Sequence, residues 1–272
     1  MSSQLDLASI LSSAETIAEK AARQLKQAYN QPQEIDYKGE IDLVTQADRA
    51  AEQLILAELK SAYPEHAILA EEGGGTISSL ADHQGMTWLV DPLDGTTNFA
   101  HGFPVFSVAI ALHNQDGPLV AVVYDVLRQE CFSATRGGGA TLNGQPIGVS
   151  TTDQLGRSLL ATGFPYNRHE AEDNNAEATS LFIRQAQGIR RAGSAALDLA
   201  YVACGRLDGY WEQQLKPWDL AAGILLVTEA GGRLSSYRGA DDYRSLLAGN
   251  DLVASNSQIH DAMLETLATI YS

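Results

Sequence analysis

Apolar positions along the first segment recur at helical spacing. Leu7, Ile10, Leu11, Ala14, Ile17, Ala18, Ala21, Ala22 and Leu25 follow i, i+3, i+4, i+7 and build one apolar face. Asn30, Pro32 and the charges from Asp36 to Glu40 end that helix in a loop. A second helix is predicted to start near Thr45, where Thr45-Gln46-Ala47-Asp48 has the form of a capping box with an acid in the positive first turn. Leu54, Ile55 and Leu59 carry its apolar side, and Tyr63 and Pro64 stop it. From residue 67 the period becomes that of strands. Apolar runs at 67–70 and 86–90 end in acids, Glu71 and Glu72 after the first and Asp91 after the second. Runs at 107–112, 119–124 and 131–134 are separated by turn residues and predict an antiparallel stretch. The turn-rich segment 137–146 reads as a hairpin and a boundary.

Beyond residue 150 strands and helices alternate. Strands are predicted at 159–162, 189–191, 209–212 and 252–254, and helices at 172–187, 194–204, 218–230 and 259–271. Gly231 and Gly232 close the third of these helices. The fold class is therefore α/β, with an α+β half over 1–148 and an α/β half over 149–272. No repeat or flexible linker separates them, so one tightly packed unit is expected.

Composition narrows the class. With 272 residues, 44% of them hydrophobic and 19% charged, the chain can bury a large core without disulfides or structural metal. Acids exceed bases by 34 to 18, a formal net charge of −16. Such a surface repels phosphate backbones and argues against a nucleic-acid binder. It does not exclude a small anionic substrate, because a bound cation reverses the local sign. Cys131 and Cys204 have no metal spacing and read as two buried small apolar residues in a reducing cytoplasm. The first ten residues lack the basic and apolar regions of a secretory leader, and no run of about 18 apolar residues predicts a membrane span.

The chemistry concentrates in Trp-Leu-Val-Asp-Pro-Leu-Asp-Gly-Thr-Thr-Asn-Phe, residues 88–99. Asp91 ends an apolar strand, Pro92 removes a ladder donor, and Gly95 permits a tight turn. Asp91 and Asp94 are thus forced together at a strand mouth. Two close carboxylates repel unless one protonates or a cation lies between them. A hard divalent cation takes such oxygens, and the Leu93 carbonyl adds a third. Thr96 and Thr97 place hydroxyls where a helix could start. Further acids sit in similar settings: Glu71 and Glu72 before three glycines, Asp219 after Pro217 and Trp218, and Asp42 and Asp48 around a short apolar pair. Each alone also fits an acidic surface turn or a helix cap. Five or more at strand ends and helix starts are hard to explain as surface.

Five strings carry a resemblance: D-L-V-T-Q-A-D (42–48), A-E-E-G (70–73), the 88–99 motif, A-G-S-A-A (192–196) and K-P-W-D-L-A-A-G (216–223). In this order, over nearly the whole chain, they resemble the inositol monophosphatase family. The resemblance implies a layered α-β-α-β-α sandwich, a homodimer, and a lithium-sensitive phosphomonoesterase using two or three Mg2+ ions. It implies that Glu71, Asp91, Asp94, Asp219 and the Leu93 carbonyl hold the metals, and that Thr96 with Asp48, beside Glu71, orients the attacking water. Gly95 and Thr96 would hold the phosphate through their backbone. Gly193, Ser194, Ala195 and Glu212 would line the polyol pocket, with Glu71, Leu93, Asp94 and Asp219 also facing substrate. The basic residue common in the family ahead of Asp42 falls on Lys38, at a looser spacing. Thr97 and Asn98 match the inositol type, so the expected reaction is hydrolysis of myo-inositol 1-phosphate by a water activated by metal. Two alternatives remain: a broader sugar-phosphate phosphatase acting on fructose 1,6-bisphosphate or histidinol phosphate, and a non-catalytic binding protein that retains the fold.

Overall fold

Helix α1 (Leu7–Ala28) buries Ile10, Ala14, Ile17, Ala18, Ala21, Ala22 and Leu25, the stripe its periodicity predicts. The computed structural model describes residues 5–29, 31, 35–37, 43–80, 83–248 and 250–271. A short antiparallel pair, β1 (Ile35–Tyr37) and β2 (Leu43–Thr45), leads into α2 (Gln46–Ala62). Thr45 caps α2 in the predicted capping box: its hydroxyl accepts from the Ala47 and Asp48 amides, and the Asp48 carboxylate accepts from the Thr45 amide.

Seven strands follow in one sheet, ordered as in the sequence: β3 (Ala67–Ala70), β4 (Thr87–Asp94), β5 (Ser107–Asn114), β6 (Gly117–Asp125), β7 (Glu130–Thr135), β8 (Gly139–Leu142) and β9 (Gln145–Pro146). The expected antiparallel pairing holds from β4 onward, but β3 runs parallel to β4. The connection between them spans residues 71–86, long enough to cross over rather than turn back. Strand β4 also runs further than Pro92 allows on its own. The pairing shifts register between Asp91 and Asp94 and then resumes at Ser107, so the proline sits in a bulge. Helix α3 (Thr96–Ala100) follows directly.

The second sheet has the order β11-β10-β12-β14-β13, built from β10 (Leu159–Thr162), β11 (Gly188–Arg190), β12 (Gly209–Gln213), β13 (Arg233–Ser235) and β14 (Asp251–Ser255). Its helices are α4 (Ala176–Phe182), α5 (Ala195–Ala203), α6 (Pro217–Glu229), α7 (Tyr243–Leu247) and α8 (His260–Ala268). Helix α4 covers less than half of the predicted 172–187. Asn175 precedes it at φ 68° and is tied down: its amide donates to Thr162 and to the Gly163 carbonyl, and its oxygen accepts from Trp211 Nε1 at 2.8 Å. At the far end the chain turns back, with the Gln187 amide donating to the Ser158 carbonyl.

Alternating strand residues define the layers. Ile68, Trp88, Val90, Val108, Ile110, Val120 and Val122 pack with α1 and α2 on one face of the first sheet. Leu69, Leu89, Ala109, Ala111, Ala121 and Val123 face the other way, against α5 and α6. Those two helices also cover Ala161, Tyr210, Leu252 and Ala254 of the second sheet. Its opposite face, Leu160, Trp211 and Val253, packs on α4 and α8. The result is the α-β-α-β-α stack, with α5 and α6 shared by both sheets. Cys131 and Cys204 are free thiols, and they are half-buried rather than buried. Among the described residues no helix is long and apolar enough to cross a membrane.

Candidate active site

The ends of β3, β4, β10 and β12 and the starts of α3, α5 and α6 open onto one cleft of about 720 Å3. Glu71, Asp91, Leu93, Asp94, Gly95, Thr96, Gly193, Ser194, Ala195, Glu212 and Asp219 all line it. Among the described candidates, Asp48 and Glu72 do not line it. Lys38 and Asp42 fall outside the described residues.

Each metal-ligand candidate is anchored through hydrogen bonds, some local and some from distant segments. The bulge in β4 turns the Asp91 carboxylate back to accept from the Leu93 amide at 3.0 Å. Asp94 lies at the N-terminus of α5, where it accepts from the Ser194 hydroxyl and from the Ala196 amide at 2.8 Å. Asp219 is the third residue of α6 and accepts from the Lys216 amide at 2.8 Å, so it caps its helix and still borders the cleft. The Glu71 amide donates to the Val90 carbonyl, which places Glu71 beside the end of β4.

These acids share one electrostatic field. Burial raises the Asp91 carboxyl well above the usual range, and the charges of Glu71, Asp94 and Asp219 raise it further. Asp219 is raised well by burial and then by Glu71. Asp94 is raised by burial in spite of the Ser194 and Ala196 donors. No three acids among the described residues stand as a finished ligand cluster. What they form is an acid-lined end of the cleft, where Asp91, Asp94 and Asp219 accept from backbone amides and the Ser194 hydroxyl and, among the described residues, from no basic side chain. That donor set fits a hard divalent cation, which would remove the mutual repulsion.

Thr96 stands next to this cluster. Its Oγ1 lies 2.9 Å from Asp48 Oδ1 and 3.1 Å from the Leu93 carbonyl, so its single hydrogen is directed at acceptors inside the protein. Asp48 is buried completely, is hydrogen-bonded by the Thr45 hydroxyl and amide, and is raised by desolvation. Gly95, at φ 100°, has no room for a side chain: a Cβ would stand 3.0 Å from the Val105 carbonyl and 3.2 Å from that of Gly193.

Glu212 also lines the cleft and lies against Gly163 so closely that a Cβ there would overlap the carboxylate. Tyr210 donates its hydroxyl to Glu212. Burial pushes the Glu212 carboxyl up to about 7, while the Tyr210 hydrogen bond and the Arg191 charge pull it down.

Several lining residues escaped the sequence reading. Asp198, one turn into α5, is buried with Oδ1 lacking a partner; burial and the charges of Glu212 and Asp94 raise it well above the usual range. Its signal was an acid inside an otherwise apolar helix. Arg191 arches over Gly193 and across the Phe164 ring. Arg168 and Lys216 also line the cleft, so its cations come from loops of the second half. His101 lies on the exposed rim. Asn98, noted in sequence only as part of a motif, clamps two loops by donating to the Val105 carbonyl at 2.7 Å and to the Ala192 carbonyl at 2.8 Å.

Comparison with known proteins gives a consistent result. The model of the inositol monophosphatase family matches residues 6–271. A Synechocystis protein named inositol-1-monophosphatase is 49% identical over 252 residues, covering 91% of this chain and 85% of its own. An Escherichia coli K12 protein named Nus factor SuhB is 44% identical over 252 residues, covering 92% of each. Among solved structures, inositol monophosphatase from Anabaena superposes with a TM-score of 0.87 at 41% identity, covering 97% of both chains.

Proposed function

The chain belongs to the inositol monophosphatase family and is an enzyme of it, a phosphatase; from that premise we propose that it hydrolyses myo-inositol 1-phosphate in a Mg2+-dependent reaction at the acid-lined end of the cleft. The observation that carries this reading is the common field of Glu71, Asp91, Asp94 and Asp219 beside the Thr96–Asp48 pair. Glu71, Asp91, the Leu93 carbonyl, Asp94 and Asp219 would hold two or three Mg2+ ions. Bound there, the cations would lower the pKa of a water and offset charge on the phosphoryl and leaving oxygens.

The chain's own residues do the rest. Thr96 Oγ1 commits its hydrogen inward toward Asp48 Oδ1, which leaves its oxygen free to accept from a water on the cleft side. That water is thereby oriented and its proton given a path toward Asp48. The backbone of Gly95 and Thr96 would hold the phosphoryl group, and the glycine lets this turn pack against the Val105 and Gly193 carbonyls. Gly193, Ser194 and Ala195 form the adjoining wall, and Glu212 accepts from polyol hydroxyls. Arg191 faces both Glu212 and Asp198 and holds down the repulsion on that side. The cleft is far larger than one polyol phosphate, which favours broader sugar-phosphate activity as the second reading.

The test is a phosphate-release panel with Mg2+ on myo-inositol 1-phosphate, fructose 1,6-bisphosphate, histidinol phosphate and adenosine 3′,5′-bisphosphate. Myo-inositol 1-phosphate should rank first in kcat/KM, and release should stop with chelator. Asp94→Asn should lose at least about 100-fold in kcat, the scale set by losing a ligand's charge. Near-parental activity in that variant would remove the assignment.

A further inference from the structure

The string Glu71-Glu72-Gly73-Gly74-Gly75 contributes one candidate ligand to the site, and its middle glycine, Gly74, needs a reason. The structure supplies one in Glu52 of α2, a carboxylate only 4% exposed. Its Oε2 accepts from the Glu72 amide at 2.8 Å and its Oε1 from the Gly74 amide at 2.9 Å. A buried carboxylate bonded to two backbone donors holds them with charge-assisted strength. Gly74 is pressed onto this group: a Cβ there would stand 2.5 Å from Glu52 Oε1 and 2.7 Å from Leu56 Cδ1. On the other flank the Glu71 amide is fixed to the Val90 carbonyl, one residue before Asp91. Glu71 is thus held from both sides, by the β4 backbone and by a side chain from α2.

Glu52 is also four residues after Asp48 on the same helix, so the two lie on one face. Asp48 receives Thr96, and Glu52 receives the loop that bears Glu71. One helical turn therefore sets the relative position of two parts of the reacting centre.

We propose that Glu52 is a positioning residue for the metal site, fixing the Glu71 carboxylate opposite Asp91 through the Glu72 and Gly74 amides. The proposal rests on the reading that Glu71 is a metal ligand. Glu52→Gln keeps the size but loses the charge and turns an amide NH2 toward one of the two N–H groups. Binding of Mn2+ to the otherwise intact protein, followed by electron paramagnetic resonance, should weaken about tenfold, the low end of what supporting groups of metal ligands contribute. The Mg2+ concentration for half-maximal phosphate release should rise by the same factor, and activity should recover as Mg2+ is raised. Gly74→Ala, which displaces the same carboxylate with Glu52 still present, should shift both curves in the same direction and covers the case of a poorly folded Glu52→Gln. Glu71→Gln is the control for the underlying reading and should weaken Mn2+ binding at least as much. A lowered thermal midpoint in chelator with Mn2+ binding within twofold of parent, in both Glu52→Gln and Gly74→Ala, would make Glu52 a structural residue only and overturn the proposal. Parental Mn2+ binding in Glu71→Gln would instead overturn the metal reading, and this proposal with it.

Discussion

Glu212 sits where a carboxylate is poorly solvated, flattened on Gly163 and bonded by Tyr210. Its pKa of about 7 against an ordinary 4.5 means that the folded chain keeps a proton the unfolded chain has released. That contribution to stability is complete below pH 4.5 and is lost as pH rises through 7, with a ceiling of about 3 kcal/mol. Urea unfolding of the chelated protein should therefore weaken between pH 4.5 and 7. Glu212→Gln should flatten this decline measurably; the other raised acids, Asp91, Asp94, Asp198 and Asp219, keep it from vanishing. An unchanged slope would mean that Glu212 ionises normally. At this scale the sequence was informative where chemistry and motif coincide. Glu71, Asp91, Asp94 and Asp219 could be named as acids at strand ends and helix starts, and Thr96 and Glu212 through the resemblance to the family. Glu52, Asp198 and Arg191 could not, because their roles come from what distant segments bring against them. Glu52 looks like any helix surface acid until the loop after β3 folds over it.

Elements were legible where one periodicity dominates. The stripe of α1, the apolar runs of β3 and β10, and the Thr45 capping box all lie where local pattern puts them. The shortening of α4 against its expected length, the parallel β3 and the unpredicted β13 share a cause: tertiary hydrogen bonds and crossovers that no window of sequence contains. The packing of α5 on α6 belongs to the same class. Gly223 in α6 faces Leu199 of α5, and a Cβ at 223 would lie 2.6 Å from the Leu199 Cβ and 2.3 Å from its Cδ1. Helix propensity alone predicts that Gly223→Ala stabilises by about 1 kcal/mol. The contact predicts the reverse, because a β-carbon cannot swing away as a side-chain tip can. Overpacking of this kind typically costs about 1–3 kcal/mol, so against the propensity gain a net loss of up to about 2 kcal/mol is expected from denaturant unfolding. A stabilised variant would show that the two helices are free to separate.

At the scale of the whole chain, α5 and α6 belong in sequence to residues 149–272 yet bury one face of the first sheet as well as one of the second. Hydrogen bonds cross the same boundary. Asp94 accepts from Ala196, Asn98 donates to the Ala192 carbonyl, and Glu229 accepts from the Gly137 and Gly139 amides at 2.7 and 2.9 Å. Removing either half would expose the central layer, so neither half should melt while the other persists. The tryptophans allow a direct check. Trp88 is fully buried in the outer core against α1 and α2, and Trp211 is fully buried at the other extreme of the stack, against α4 and α8. A protein carrying Trp211→Phe and Trp218→Phe reports from the first sheet, and one carrying Trp88→Phe and Trp218→Phe reports from the second. In each, the fluorescence midpoint in urea should coincide with the midpoint by circular dichroism, the mark of a single cooperative transition. Magnesium with inorganic phosphate should move both probes upward together, since a ligand held between the halves stabilises only the chain in which both are folded, by about 2.7 kcal/mol at 100 times its dissociation constant. If one reporter shifts and the other stays, the halves are separable domains and the cleft is closed by docking rather than by a common core.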